Sequence, residues 1–189
     1  LLTRPLLPVD ETRYLAVAWE MWQRGDFLVP YLNGAPYSHK PPLLFWGVHA
    51  GWALFGVNDW SPRLVAPLFG LASLMLTGLL GRLLWPDMAA AGRAAPAILL
   101  GALFWTLFTT MTMFDMLHVC FTLSGLIGLV VASRGRALRG FAVFGLSIGL
   151  GVLGKGPAIL IHVLPVALAA PLWAKPFGWT GGWGRWYGG

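Results

Sequence analysis

Charge is what this sequence has least of. Asp, Glu, Lys and Arg make up 11% of its 189 residues, less than half of the roughly 25% usual in a soluble domain. That scarcity excludes a disordered chain and argues strongly against a soluble enzyme. Cysteine is nearly absent as well. Cys120 stands alone, which excludes an intrachain disulfide and a Cys-based metal site; lying in an apolar run, it reads as a small core residue. Acids are few, seven against 13 Lys and Arg, giving a net charge of +6. The basic residues stand singly between apolar runs. No P-loop, zinc-protease signature or nucleic-acid module accompanies them, so nucleic acid is not an expected partner. What is plentiful is hydrophobic: 57% of residues, 14% aromatic, with a mean hydropathy of +0.69. This is the composition of an all-α integral membrane protein, a multi-spanning helical bundle. The sequence begins at Leu1 and runs into a Gly/Trp-rich tail at 178–189. Both features read as those of a piece of a larger membrane protein.

The apolar runs place the spans. Residues 64–84 are interrupted only by Arg82, which lies near the end and can snorkel. Residues 96–133 carry Asp115 as their only charge. As one helix they would reach about 57 Å, nearly twice the hydrocarbon core. They therefore divide into two spans, 97–111 and 116–133, turning near Asp115, because a carboxylate at the bilayer centre costs at least ~2.5 kcal/mol. The last run breaks at Gly154-Lys155-Gly156-Pro157 into 141–153 and 158–173. About five spans result, over residues 62–177. Arg134, Arg136 and Arg139 mark a cytoplasmic loop. Counting from that loop puts Asp115, Lys155 and the whole of residues 1–61 on the outer face. Residues 43–57 are apolar but short, with Trp46 and Trp52 spaced along them, which fits a helix lying in the interface better than a span.

Residues 8–42 hold most of the polar chemistry, including Asp10, Glu11, Glu20 and Asp26, four of the seven acids. A helix is expected over about 10–24, with Asp10 as its cap. Tyr14, Val17, Ala18 and Met21 form its apolar face, and Gly25 ends it. Asn33-Gly34 signals a tight turn or hairpin. Pro41-Pro42 opens the in-plane helix that follows. Carboxylates and cations gathered at one membrane face suit a particular task. A carboxylate can take a proton from an acceptor hydroxyl, while Lys or Arg holds a phosphate leaving group.

The order and spacing of several short blocks make the reading more specific. Asp10-Glu11-Thr12-Arg13-Tyr14 is followed by Gly25-Asp26, by Pro30-Tyr31-Leu32-Asn33-Gly34, and by Tyr37 with Lys40-Pro41-Pro42-Leu43. This series resembles the first periplasmic loop of the aminoarabinose transferase family, relatives of the protein O-mannosyltransferases among the membrane GT-C glycosyltransferases. The resemblance continues more loosely through Asp115 and Gly154-Lys155-Gly156, and covers most of the chain but less than half of a family member.

The resemblance implies transfer of a sugar from a polyprenyl-phosphate carrier to a lipid A-like lipid or another acceptor, such as a glycan. The expected place is the periplasmic face of a bacterial inner membrane. It implies Asp10, with Asp115 and Glu11, as catalytic candidates. Lys40, Arg13, Lys155 and Tyr37 become candidates for the donor phosphate and substrate. It also supports the in-plane helix after the double proline. One position departs from the family pattern. The residue before the lysine is commonly Glu and here is His39. Glu can bind a hard cation, whereas His is neutral or cationic near pH 7, so this departure counts against the one cofactor considered, a divalent metal held with His39, and against assigning the exact sugar.

Several of these residues also have a purely structural reading. Asp10 can cap, Glu11 can favour the helix dipole, Lys40 can snorkel and Asp115 can sit in a solvated turn. His49, His118 and His162 lie on apolar segments and read as packed or interfacial. The glycines at 145, 149, 151 and 154 read as helix-packing positions. Two other functions fit parts of the pattern: a transporter or flippase of lipid-linked substrates, favoured by the broken Gly-Lys-Gly-Pro helix, and an inactive family scaffold, left open by His39. Transport would place ionisable groups near the bilayer midplane; the sequence places them at one face.

Overall fold

The computed structural model describes residues 5–177 and Trp186; the expected tail at 178–189 otherwise lies outside the described residues. Helix α1 (Asp10–Arg24) is followed by a hairpin of two short strands, β1 (Tyr31–Leu32) and β2 (Ala35–Pro36), paired antiparallel with Leu32 opposite Ala35. Asn33 and Gly34 join them, both at positive φ (53° and 81°), the backbone that a two-residue primed turn demands. Gly25 closes α1 in the left-handed conformation, φ 66°. Helix α2 (Leu43–Phe55) then packs across α1. Tyr14, Val17, Ala18 and Met21 bury against Leu44, Phe45, Val48 and Trp52. Each of the larger apolar side chains, such as Val17, Met21, Leu44 and Phe45, contributes about 1.5–3 kcal/mol when fully buried, relative to exposure. His49 joins the two helices by donating from Nε2 to the Ala18 carbonyl, 2.8 Å. The indoles of Trp46 and Trp52 donate to the carbonyls of Phe27 and Asn58.

The bundle begins at α3 (Val65–Leu84), preceded by a 3-10 turn at Pro62–Leu64. Helices α4 (Ala89–Leu100) and α5 (Leu103–Thr109) follow, then α6 (Asp115–Ser133) and α7 (Ala137–Lys155). Helices α8 (Ala158–Leu168) and α9 (Ala170–Trp173) close it, with a 3-10 turn at Lys175–Phe177. Among the described residues, three helices are long and apolar enough to cross a membrane each: α3 with its preceding turn, α6 and α7. The α4–α5 pair makes a fourth if its 69° bend is taken within one span.

These helices differ from the expected spans in two places. The expected span at 97–111 starts earlier, at Ala89, and is broken at Gly101-Ala102. The expected span at 158–173 is divided as well. Its α8, 11 residues long, reaches only about 16 Å, so the length criterion gives three or four spans where the sequence suggests about five. Even so, the segment from Ala158 to Phe177 returns in short pieces to the far end of the bundle, where the Phe177 ring lies under the Arg134 guanidinium.

The glycines expected at helix-packing positions divide: Gly151 and Gly154 are buried against neighbouring helices, and Gly145 and Gly149 are not. A Cβ on Gly145 or Gly149 would meet nothing within 4 Å, and one on Gly154 would make only ordinary contacts. On Gly140 it would fall 2.3 Å from the Ala132 nitrogen and 2.5 Å from the Gly128 carbonyl oxygen. Gly128 and Gly140 therefore set the close backbone approach of α6 and α7. Gly151 does bear a packing neighbour, the flexible Ile159 side chain. Cys120 is a free, buried thiol, as expected.

Candidate functional site

Five short segments meet at the end of the bundle where α6 begins and α7 ends. The first turn of α1 supplies Asp10, Arg13 and Tyr14. The loop before α2 supplies Tyr37, His39 and Lys40. Phe108 comes from α5, and Met113 and Phe114 from the connection to α6. Asp115 opens α6, and Lys155 closes α7. Together they line a cleft of about 480 Å³. Seven of the eight expected site residues are in its wall, although they come from segments as far apart in sequence as Asp10 and Lys155.

The charges inside the cleft are ordered. Arg13 holds Asp10 within α1 by an ion pair three residues apart. Asp10 therefore does not cap the helix as expected: the cap position is Val9, and no side chain bonds the first-turn amides there. Lys155 donates to the Asp115 carboxylate at 2.7 Å, joining α6 to α7. Lys40 is different. Its ammonium lies 5.5 Å from the Phe114 ring centre, and among the described residues it has no carboxylate partner. Lys40 is thus the cation of the cleft whose charge is not already matched.

Aromatic rings form the floor. Phe114 meets Tyr14 edge-on at 5.0 Å and Phe45 at 5.6 Å. Tyr37 stacks on His39 at 5.3 Å with the rings 15° apart. Burial, with the nearby Asp10 carboxylate, raises the Tyr14 pKa above its ordinary value, so Tyr14 is present as a neutral phenol at neutral pH. For Arg13, desolvation pulls the pKa down. Contacts with Tyr14, Tyr37 and Asp10 outweigh it and leave the value raised. Tyr14 carries a sequence signal, as the last residue of the Asp-Glu-Thr-Arg-Tyr block. Phe108, Met113 and Phe114 carry none, being apolar residues in an apolar run.

Glu11 is the expected catalytic residue that the cleft does not contain. It is fully buried. Its Oε2 accepts from the Leu7 amide and its Oε1 from the Thr112 amide, each at 2.7 Å. A carboxylate with both oxygens engaged by backbone donors is fixed in place, and the Thr112 bond ties α1 to the chain just before Asp115.

The donor set does not fit a divalent metal. Among the described residues no group of three or more His, Cys, Asp and Glu side chains can hold an ion. His39 is stacked on a tyrosine, while Asp10 and Asp115 each already pair with a cation. Of the other histidines, His49 is packed in the α1–α2 interface and His118 is buried, as their sequence positions suggest, whereas His162, which faces His118 at 3.3 Å, is exposed.

Comparison with known proteins gives a consistent picture. Residues 39–183 match the family described as dolichyl-phosphate-mannose-protein mannosyltransferase. The undecaprenyl phosphate-alpha-4-amino-4-deoxy-L-arabinose arabinosyl transferase 1 of Pseudomonas fluorescens is 33% identical over 179 residues, covering 89% of this chain and 30% of the relative. The corresponding transferase of Pectobacterium carotovorum is 33% identical over 168 residues, 85% of this chain and 30% of its own. Among solved structures, ArnT from Cupriavidus metallidurans in the apo state superposes with a TM-score of 0.73 at 27% identity, over 97% of this chain and 34% of that one. The same protein bound to undecaprenyl phosphate gives 0.72 at 26% identity, over 91% and 34%. The chain spans about a third of the length of these relatives.

Proposed function

The chain belongs to the dolichyl-phosphate-mannose-protein mannosyltransferase family, and from that premise we propose that it carries the catalytic face of a glycosyltransferase using a lipid-phosphate-linked sugar. The donor is a polyprenyl-phosphate sugar. The similar transferases named for undecaprenyl phosphate and aminoarabinose favour a pentose of that type. The acceptor is a lipid A-like lipid or another membrane-associated glycan. The site faces the periplasm of a bacterial inner membrane, with the arginine-rich end of the bundle in the cytoplasm.

One observation carries this reading: the cleft sets two carboxylates, Asp10 and Asp115, beside a cation without a carboxylate partner, Lys40, at the end of an apolar bundle. Sugar transfer from a phosphate carrier needs both. As the glycosidic carbon–oxygen bond to the carrier breaks, negative charge grows on the departing phosphate, and Lys40 stabilises it. The acceptor hydroxyl attacks the sugar carbon and gives its proton to a carboxylate. Asp10 is the first candidate base, because its side chain is partly exposed in the cleft and its partner Arg13 is on the same helix. Arg13 and Lys155 are the next cations within the cleft. They can turn from their aspartates to the phosphate once a proton has neutralised a carboxylate.

Transport is less well supported. In α3, α6 and α7 the formal charges are Arg82, Asp115, Arg139 and Lys155, each in the first or last turn of its helix. Ionisable groups at the ends of spans suit chemistry at a membrane face better than passage through the middle.

The test is sugar transfer by the intact protein in membranes supplied with a radiolabelled polyprenyl-phosphate sugar. Wild type is compared with Asp10→Asn and Lys40→Met. Transfer lost in Asp10→Asn while donor binding persists supports the base assignment; equal transfer in both removes Asp10 from the chemistry. Donor binding lost in Lys40→Met supports the phosphate assignment. Transfer from no lipid-linked donor at all would shift the weight to a scaffold or transport role.

A further inference from the structure

At the opposite end of the bundle from the cleft, two cavities share a wall. The first is a slot of about 290 Å³ between helices, lined by Leu80, Leu126, Val130 and Val166 together with Trp173. Every lining side chain is hydrocarbon or aromatic, and the one polar atom of the set, the Trp173 indole nitrogen, is already donating to the Val166 carbonyl at 2.8 Å. The second is a wider mouth of about 790 Å³ that contains Trp85, Asp87 and Arg134. Leu84 and Phe177 belong to both. The apolar slot and the wider, polar mouth therefore lie side by side, with Leu84 and Phe177 between them.

The rim is cationic. Arg134 is exposed, donates one bond to the Leu83 carbonyl and stacks over the Phe177 ring at 5.7 Å. A guanidinium has five N–H groups in a planar fork, so that single bond leaves it able to receive an anion. Arg82, Arg136, Arg139 and Lys175 belong to the same end of the bundle. None of these five cations pairs with a carboxylate among the described residues. The acid of the mouth is Asp87, which lowers but does not cancel the positive charge.

We propose that this slot and rim form a site for an anionic membrane phospholipid, with one acyl chain between α3, α6 and α8 and the phosphate at Arg134. The site is separate from the cleft and does not depend on the proposed transfer reaction. Charge and shape select the occupant together. A free phosphate would match the rim and leave the apolar slot unused. A zwitterionic lipid would fill the slot and present a phosphate, but its head-group cation would add to the positive charge that the rim already carries. Basic pockets between membrane helices at the cytoplasmic face suit anionic head groups for this reason.

Native mass spectrometry of the detergent-purified protein, with phosphatidylglycerol or phosphatidylcholine added at equal concentration, tests the site. The expected result is preferential retention of phosphatidylglycerol. Arg134→Gln should weaken it about fivefold, the contribution of one basic residue near an anionic surface. Arg134→Lys should retain most of the preference. Val130→Phe, which fills the slot while leaving the rim intact, should reduce retention of both lipids. Glycerol phosphate, the head group without chains, should not compete. Equal retention of the two lipids by wild type would overturn the proposal. So would unchanged retention in both Arg134→Gln and Val130→Phe, which would mean only loosely associated lipid. Effective competition by glycerol phosphate would reduce the site to an anion-binding rim.

Discussion

Lys155 and Asp115 close the cleft with a 2.7 Å ion pair between the last residue of α7 and the first of α6. Both side chains are about one-third exposed, so water screens the pair and its contribution to stability is at most about 1 kcal/mol. Under the proposed function, its position in the cleft gives it a role in chemistry rather than in stability. Asp115→Asn is expected to leave the thermal unfolding midpoint nearly unchanged while sugar transfer falls by about 10²–10⁴-fold, the range for loss of a general acid or base. A matching loss of stability and transfer would make Asp115 a structural residue only.

Glu11 makes the opposite prediction. Both of its oxygens accept backbone amides in a fully buried setting. Glu11→Gln replaces one acceptor with a donor that faces an N–H. The cost should be about 1–3 kcal/mol, the penalty for leaving a buried polar group unsatisfied, read as a lowered unfolding midpoint in detergent. Transfer by the fraction that remains folded should stay well above that of Asp115→Asn. A fully stable but inactive Glu11→Gln would return Glu11 to the catalytic set.

The α6–α7 contact gives a paired test. Gly140→Ala forces a methyl against the Ala132 nitrogen and the Gly128 carbonyl. Neither backbone atom can move without parting the helices, so destabilisation of about 1–3 kcal/mol is expected. Gly145→Ala, on the same helix with open space around it, should be neutral or slightly stabilising, since Ala is the better helix former. Equal effects at the two positions would show that the close approach is not what holds these helices.

His49 supplies a pH dependence. Burial lowers its pKa, outweighing the opposite effect of the hydrogen bond to the Ala18 carbonyl. The unfolded chain thus binds a proton that the folded one resists. Between the folded pKa and the ordinary value near 6.5, unfolding takes up a proton, so stability rises with pH. This contribution is complete above about pH 6.5 and is lost as the pH falls towards the folded pKa. His49→Gln should flatten that slope in unfolding midpoints measured from pH 7 down to pH 5; an unchanged slope would assign it to other groups.

Much of the architecture follows from local chemistry that the sequence states directly. The 3.6-residue spacing of Tyr14, Val17, Ala18 and Met21, with Gly25 after them, specifies α1 and its buried face. Asn33-Gly34 specifies the hairpin, and the high hydropathy of 62–84 and 115–133 specifies two spans. Charge topology alone put Asp10, Lys40, Asp115 and Lys155 on one side, and the cleft contains all four. What the linear pattern could not contain was the partner of each group. Asp10 is drawn from the cap position to Arg13, and Glu11 is spent on the amides of Leu7 and Thr112. The spacing glycines prove to be 128 and 140 rather than 145 and 149, because a helix leaves several faces open to glycine and only its neighbour decides which one is crowded. The break at Gly101-Ala102 has the same origin: an apolar run states that its residues avoid water, and the packing of the chain around it decides where the helix bends.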